Sequence, residues 1–181
     1  GKTVSGRRSR YIVEERAINT TRYTNNTTLN TAVKENISFT AGLNFQSQNN
    51  HYFKRVNDLL GGDFYVDLNQ FAERDFPSNP GANQNDLNRP NRILRVGDKF
   101  GYNYNINIIR ASGWMQAIFK FRKVDVFVSS EHSYTSFYRK GRARVGIFPE
   151  NSFGKSKTYN FFNGAIKAGL TYKIDGRNYM F

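Results

Sequence analysis

Few side chains of this sequence have the type and spacing to act as a catalytic acid or base. The sequence contains two histidines and no cysteine, so it has neither thiol chemistry nor zinc–thiolate sites. His132 follows Glu131 directly, but neighbouring residues of a strand point to opposite faces and do not form an acid–base pair. His51 is expected where a strand ends and a loop begins. We therefore predict that the chain is not an enzyme.

A group of acidic residues in a predicted loop has the oxygen ligands that calcium prefers. The spacing of this group matches no EF-hand pattern: Asp63, Asp67, Glu73 and Asp75. The run Asp67-Leu-Asn-Gln70 instead resembles a capping box, with Asp67 as the N-cap and Gln70 as the third helical residue. We expect a short capped helix with a solvated acidic side, and we predict neither a metal site nor a cofactor.

Basic residues are stronger candidates for binding. The formal net charge is +13, an excess that is typical of proteins with an anionic partner. Arg7, Arg8 and Arg10 open the chain, and further clusters border two predicted long loops. The predicted substrate-binding residues are arginines of the loop clusters and asparagines of the run GYNYNINII (101–109): Arg92, Arg95, Asn103, Asn105, Asn107, Arg139 and Arg142. Three interpretations stay open for the basic residues: a funnel for an anionic substrate, a belt that grips lipopolysaccharide phosphates, or charge that is solvated near an interface.

Strands must position these residues, because polar and apolar residues alternate along much of the chain. In Gly101–Ile109, tyrosine and isoleucine share one parity and asparagine has the other, so one side of this strand is apolar and the other is carboxamide. A change of parity around Ala111–Gly113 predicts a β-bulge. The predicted strands are Tyr11–Val33, Ile37–Asn49, Gly101–Phe121, Val124–Tyr138, Thr158–Ile174 and Asn178–Phe181.

The connections between these strands are of two kinds, which alternate along the chain. Tight turns are expected at Val33–Asn36, Arg122–Asp125 and Asp175–Asn178, the last of which contains an Asp-Gly pair that favours a hairpin. Long loops are expected at Asn50–Lys99 and Lys140–Ser156. Every tight turn therefore falls on one rim of the predicted sheet, and every long loop falls on the other.

Two architectures produce such alternation. A soluble sheet protein buries the apolar side, whereas a membrane β-barrel turns it toward lipid. Three features favour the barrel: strands longer than the ~9–11 residues that cross a bilayer, unequal rims, and aromatic residues near strand ends. Known barrels begin at about 8 strands, so this chain is predicted to be all-β and to form a segment of an antiparallel transmembrane β-barrel, with about five to six long strands, short periplasmic turns and long extracellular loops. The tyrosine and isoleucine side of residues 101–109 is expected to face lipid, and the asparagines a wet interior.

A set of motifs in consistent order resembles TonB-dependent outer-membrane receptors of the Bacteroidota type. The resemblance covers most of the chain from about Ile37 onward. The motifs that carry it are LLGGDFYVDLNQFAERDF (59–76), NDLNRPN (85–91), VGDKFGY (96–102), SYTSF (133–137), FPENSFGK (148–155) and TYKIDGRNY (171–179).

The resemblance implies a barrel of about 22 strands with a plugged lumen. Residues 1–181 would be part of one receptor barrel domain, whose plug and remaining strands are not in this chain. The implied function is import of a substrate across the bacterial outer membrane, energised by the TonB complex through the plug. Outer-membrane lipid and lipopolysaccharide are the expected surroundings, and SusC-like relatives also work with a SusD-like surface lipoprotein.

The alternative from a different functional class is a soluble, basic, aromatic-rich β-domain that binds nucleic acid or another polyanion. The net charge and the exposed tyrosines support it, since aromatic rings can stack on bases. No RNP-like motif accompanies these features, so nucleic acid is not among the partners we predict.

Overall fold

The computed structural model describes residues 3–181. Strands make up 62% of it and helix 3%, which confirms the prediction of an all-β chain. The elements in chain order are β1 (Val13–Lys34), β2 (Ile37–Asp58), β3 (Tyr65–Val66), α1 (Gln70–Asp75), β4 (Ile93–Leu94), β5 (Lys99–Lys120), β6 (Val124–Gly141), β7 (Gly154–Lys155), β8 (Tyr159–Lys173) and β9 (Tyr179–Met180).

The long strands form one open antiparallel sheet. The sheet has seven strands in the order β1-β2-β5-β6-β8-β9, with β7 paired to β6, while β3 and β4 form a separate two-stranded sheet. The large sheet is not closed into a barrel. β9 covers only Tyr172 and Lys173 of β8, so most of that edge of β8 has no strand partner in the described part of the chain. The antiparallel sheet is thus confirmed, and the transmembrane barrel stays a prediction.

All six predicted strands are present, and some are longer than predicted. β2 runs to Asp58 rather than Asn49, so the first long loop begins later than expected. Tight turns follow Lys34, Lys120 and Lys173, as predicted. In the last turn, the Asp175 carboxylate accepts hydrogen bonds from Nδ2 of Asn178 (2.6 Å) and from two backbone N–H groups. These bonds, led by that of Asn178, hold the pKa of Asp175 below its ordinary value.

The change of parity in β5 does not arise from a bulge. The Asn44 side chain donates to Oγ of Ser112 (3.2 Å), and the Asn49 side chain donates to Oδ1 of Asn107 (2.6 Å). The same number of residues separates these two contacts on both strands, so no extra residue is inserted between them. The bulge predicted around Ala111–Gly113 is therefore wrong: the apolar residues change sides along β5 while the strand pairing stays in register.

The chain divides into two compact units. Unit 1 comprises the described residues up to Thr21 together with Asn49–Asn107 and Tyr138–Thr158. Unit 2 comprises Arg22–Gln48, Ile108–Phe137 and Tyr159–Phe181. Unit 1 contains both long loops, whereas unit 2 contains the three tight turns.

The first long loop of unit 1 folds around a small core of its own. Strands β3 and β4 pair Tyr65 with Leu94, and Leu94 is fully buried. The residues that complete this core are Val56, Leu59 and Phe100. A loop of this length is therefore an ordered structure with buried apolar side chains.

The short helix α1 begins two residues later than predicted. Its N-cap is Asn69, whose Oδ1 accepts hydrogen bonds from the backbone N–H groups of Phe71 and Ala72, both at 3.2 Å. The prediction that Asp67 caps the helix is wrong, because the Asp67 carboxylate is buried and is held by other loop residues. Ala72 is the buried residue of α1, and Phe71 is exposed.

The two long loops of unit 1 bind each other through their backbones. The N–H of Leu87 donates to the carbonyl of Arg144 (2.7 Å), and the N–H of Gly146 donates to the carbonyl of Gln84 (2.8 Å). The close approach requires glycine at position 146, since a Cβ there would lie 1.9 Å from the Gly81 carbonyl oxygen. The two loops therefore form one folded structure within unit 1.

Candidate functional site

One candidate site is a row of amide side chains on β2 and β5 of unit 1, which we call the asparagine ladder. It consists of Asn49, His51, Asn103, Asn105 and Asn107. Asn49 donates to Asn107 (2.6 Å) and accepts from Asn105 (2.7 Å). Nε2 of His51 lies 2.8 Å from Oδ1 of Asn103. The paired strands bring these residues together because alternate residues of each strand share one side.

Arg142, just beyond β6, makes hydrogen bonds with two residues of the ladder. Its Nε donates to Oδ1 of Asn105 (2.8 Å), and its backbone N–H donates to the carbonyl of Asn103 (2.9 Å). Asn105 is only 5% exposed, so its contacts position Arg142 and Asn49. Because the side-chain oxygens of all three β5 asparagines already make hydrogen bonds, the ladder is best suited to a ligand that accepts hydrogen bonds from amide and guanidinium groups.

The opposite side of β2 and β5 carries what we call the tyrosine cluster. It consists of Tyr52, Lys54, Tyr102 and Tyr104 of these strands and Arg139 of β6. The rings of Tyr52 and Tyr104 stack with centroids 5.0 Å apart, and Arg139 lies over the Tyr104 ring at 4.5 Å. Lys54 lies 5.6 Å from the centre of the Tyr102 ring. Cation–π contacts of this kind stabilise the basic side chains next to the rings.

Arg92 and Arg95 do not join either group. The Arg92 guanidinium contacts the carboxylate of Asp67 (3.1 Å) and the backbone carbonyl of Lys99, so it holds the first long loop together. Arg95 is exposed in a turn where its backbone N–H donates to Asp98 (2.8 Å). Its side chain makes no hydrogen bond or ion pair with any other described residue. Of the seven predicted site residues, the structure thus gathers five around β5.

The acidic residues of the first long loop form contacts that stabilise the loop itself. Asp63 accepts from the backbone N–H of Arg7 (2.7 Å), Asp67 pairs with Arg92, and Asp75 pairs with Arg74 (2.8 Å). Within residues 3–181, no three histidine, aspartate or glutamate side chains come together in a way that would hold a metal ion. Tyr65 lies in the same loop, and its burial, reinforced by the charge of Asp67, raises the pKa of its phenol.

A second candidate surface is one side of the sheet in unit 2, which we call the apolar face. Register pairs Tyr134 with Phe162 and Val128 with Ala168 on this face, and adjoining cavities join it to Leu43 of β2. Its side chains are unusually open: Phe162 is 78% exposed and Ile166 is 79% exposed. The other exposed apolar residues that alternation and the cavities place here are Leu29, Phe45, Met115 and Leu170.

The reverse side of the same strands bears most of their polar side chains, together with Phe127 and Phe161. Trp114 packs against Gly42, where a Cβ would lie 2.4 Å from the indole nitrogen. A cavity beside Trp114 is lined by Gln116, Ser129 and Glu131, among others. Lys173 and Asp125 form an ion pair on this side (2.6 Å). His132 lines the cavities of the apolar face, so the structure confirms that it and Glu131 lie on opposite sides.

Several functional candidates were missing from the sequence prediction. The predicted strand ended at Asn49, which left His51 and Tyr52 in a loop. The signal was present, since Asn49 and His51 keep the alternation of the preceding strand, but only the pairing with β5 shows which residues they face.

No helix among the described residues is long and apolar enough to traverse a lipid bilayer.

No protein-family model matches the chain, and neither a curated protein nor a solved structure does.

Proposed function

We propose that this chain is a membrane-spanning segment of an outer-membrane β-barrel, and that the barrel belongs to a TonB-dependent receptor. The observation that carries the proposal is the apolar face of unit 2. Phe162, Ile166 and Leu43 project from it with most of their surface uncovered. Soluble proteins rarely expose continuous apolar patches larger than a few hundred Å², whereas a barrel strand turns such residues toward lipid.

Strand length and chemistry support the same assignment. A tilted strand needs about 9–11 residues to cross a bilayer, and β8 has 15. The reverse side of unit 2 bears the Lys173–Asp125 ion pair and a cavity whose lining includes Gln116 and Glu131, as expected for a wet lumen. Unpaired backbone groups cost several kcal/mol each in lipid, so the open edges of the sheet favour a segment that further strands complete.

The receptor assignment rests on the motifs that resemble the Bacteroidota family. On it, the chain lies in the outer membrane, among lipid and lipopolysaccharide, and takes part in substrate import energised by TonB through a plug domain. A SusD-like lipoprotein is the candidate partner at the extracellular side. Arg139, Arg142 and the asparagine ladder are the residues of unit 1 that we assign to substrate contact or to positioning such contacts.

The soluble polyanion-binding domain is the weaker candidate. Its tyrosines would have to be free to stack on bases, yet Tyr104 is stacked on Tyr52 and covered by Arg139. The exposed apolar face of unit 2 also has no function in a soluble domain that lacks a partner for it.

The single tryptophan of the chain allows a direct test of which side meets lipid. The purified protein is reconstituted into phosphatidylcholine vesicles with brominated acyl chains, which quench tryptophan fluorescence only on contact. Trp114 should be quenched weakly. The variant Leu43→Trp/Trp114→Phe carries its only tryptophan on the apolar face and should be quenched strongly.

The control uses the same two proteins with acrylamide, a quencher dissolved in water. With acrylamide, the stronger quenching of the Leu43→Trp/Trp114→Phe variant should disappear or reverse. Strong lipid quenching of Trp114 together with weak quenching of Leu43→Trp would show that the side with Trp114, and not the apolar face, contacts lipid. This result would refute the proposal. Recovery of the native protein as a detergent-free soluble monomer would refute it as well. For the receptor assignment, loss of TonB in the native host should abolish import by the protein.

A further inference from the structure

A cavity in unit 1 has no part in the asparagine ladder or the tyrosine cluster. Its volume is about 440 Å³, and it is lined by Arg8, Ser9, Arg10, Leu68, Gln70 and Glu73. Two arginines, one glutamine and one glutamate are thus among the residues that line a single cavity. The chain segment that bears the arginines and the helix α1 form its two sides.

The backbone of the arginine segment is held firmly. Arg8 forms a parallel bridge with Phe64, and the N–H of Ser9 donates to the carbonyl of Phe64 (2.8 Å). Oγ of Ser9 is buried and donates to the carbonyl of Leu59 (2.6 Å). The segment packs so closely that a Cβ at Gly62 would lie 2.1 Å from this Oγ. Ser9 thereby anchors the backbone of Arg8 and Arg10 on either side of itself, so the backbone needs little ordering when a ligand binds.

The charges of these two arginines are not neutralised. Arg7 has Asp63 near it (3.9 Å), but neither Arg8 nor Arg10 forms an ion pair with any residue that the structure describes. Arg10 lies only over the ring of Tyr11, at 6.0 Å. Glu73 lines the same cavity without pairing with either arginine. Two neighbouring cations repel each other, and an anion bound between them would relieve that repulsion.

We propose that this cavity binds an oxyanion, a carboxylate, sulfate or phosphate group, carried by a ligand that also has hydroxyl groups. Guanidinium forks bind such oxyanions with paired, charge-assisted hydrogen bonds. The side-chain amide of Gln70, which also makes a hydrogen bond with Tyr65, has a second N–H group that can donate to the ligand. The carboxylate of Glu73 accepts from ligand hydroxyls. Acidic sugars have this combination of groups. The inference rests on the proposed receptor function and extends it by naming a ligand class, whereas the observations behind it all come from unit 1.

Isothermal titration of the purified protein in detergent with D-glucuronate, and with D-glucose for comparison, tests the proposal. D-glucuronate should bind saturably and D-glucose should not. Arg8→Gln and Arg10→Gln should each weaken D-glucuronate binding roughly tenfold, as expected for loss of a charge-assisted hydrogen bond. Arg95→Gln is the matched control, because Arg95 is also an exposed arginine of unit 1 without a side-chain partner, and it should leave binding unchanged.

Two further variants separate a built site from general positive charge. Glu73→Gln removes a repulsive charge and should tighten binding of inorganic sulfate, whereas a diffuse basic surface would show little change. Arg8→Lys keeps the charge but loses the planar fork, so its affinity should fall less than that of Arg8→Gln. If Arg8→Gln disturbs the Ser9 anchor, Arg10→Gln still decides the result.

Equal weakening by Arg95→Gln, or binding of D-glucose as tight as that of D-glucuronate, would overturn the oxyanion site. The vesicle quenching experiment measures unit 2 and is independent of these titrations. If one of the two experiments contradicts its proposal, the other proposal is therefore unaffected.

Discussion

Replacing the buried carboxylate of Asp67 by an amide should loosen the first long loop of unit 1. Asp67 is 3% exposed and accepts hydrogen bonds from the Asn85 side chain (2.9 Å), the Arg92 guanidinium (3.1 Å) and the backbone N–H of Gly101 (3.2 Å). Asp67→Asn keeps the shape but removes the charge, and it sets an amide N–H donor against the Arg92 donor. The loop then contains a guanidinium whose counter-charge is gone.

The expected cost follows from burial. Breaking a buried ion pair costs about 3–5 kcal/mol, and a hydrogen bond to a charged group is worth about 1.5–3 kcal/mol. Arg92 is 23% exposed and keeps its contact with the Lys99 carbonyl, which moderates the loss. We expect a decrease of about 2–3 kcal/mol in the free energy of local opening, with water screening part of the pair.

Native-state hydrogen exchange measures this free energy directly, because amides exchange when the local structure opens. The amide of Gly101 is the reporter, since it donates to Asp67 itself. Its exchange should accelerate roughly 30- to 140-fold, given that about 1.4 kcal/mol corresponds to a factor of ten. Asp75→Asn is the matched control, because Asp75 is 50% exposed and its pair with Arg74 lies at the surface. Equal exchange of Gly101 in both variants would refute the assignment of Asp67 as the organising residue of the loop.

Three further predictions concern the loop contact, the apolar face and pH. Gly146→Ala should cost about 1–3 kcal/mol through overpacking against Gly81 and should accelerate exchange of the Leu87 amide. Gly176→Ala, which has open space around it, should not, and unchanged exchange of Leu87 in Gly146→Ala would contradict the loop contact. Ile166→Lys should reduce recovery of the protein in the outer membrane, since a lysine on the lipid side costs about 2–4 kcal/mol at the bilayer centre; Ala165→Lys, on the opposite side of β8, should be tolerated, and the reverse order would contradict the proposed orientation. The raised pKa of Tyr65 means that its neutral phenol contributes stability below the ordinary tyrosine pKa of about 10, and that this contribution is lost as pH rises through the folded-state pKa. The free energy of local opening of the loop, taken from amide exchange after correction for base catalysis, should therefore fall as pH rises through that range in the native protein but not in Tyr65→Phe. Identical pH profiles of this free energy in the two proteins would exclude Tyr65 as the cause.

The site residues illustrate how far sequence reasoning reached. The alternation in residues 101–109 correctly marked Asn103, Asn105 and Asn107 as neighbours on one side of a strand. It could not show that Asn49, His51 and Arg142 engage them, because those contacts depend on the register of β2 and on the start of the second long loop. Arg92 was chosen for its charge, but the folded loop uses that charge to pair with Asp67.

The sequence by itself determined the local structure: the presence of the long strands, the tight turns after Lys34, Lys120 and Lys173, and the presence of two long loops on one side of these turns. Each of these follows from the two-residue period of a strand or from turn chemistry between near neighbours. Tertiary structure alone decided which residue caps α1, that β5 has no bulge, and that the two long loops bind each other. These features depend on contacts between residues far apart in the chain, for which a local pattern of polar and apolar residues contains no information.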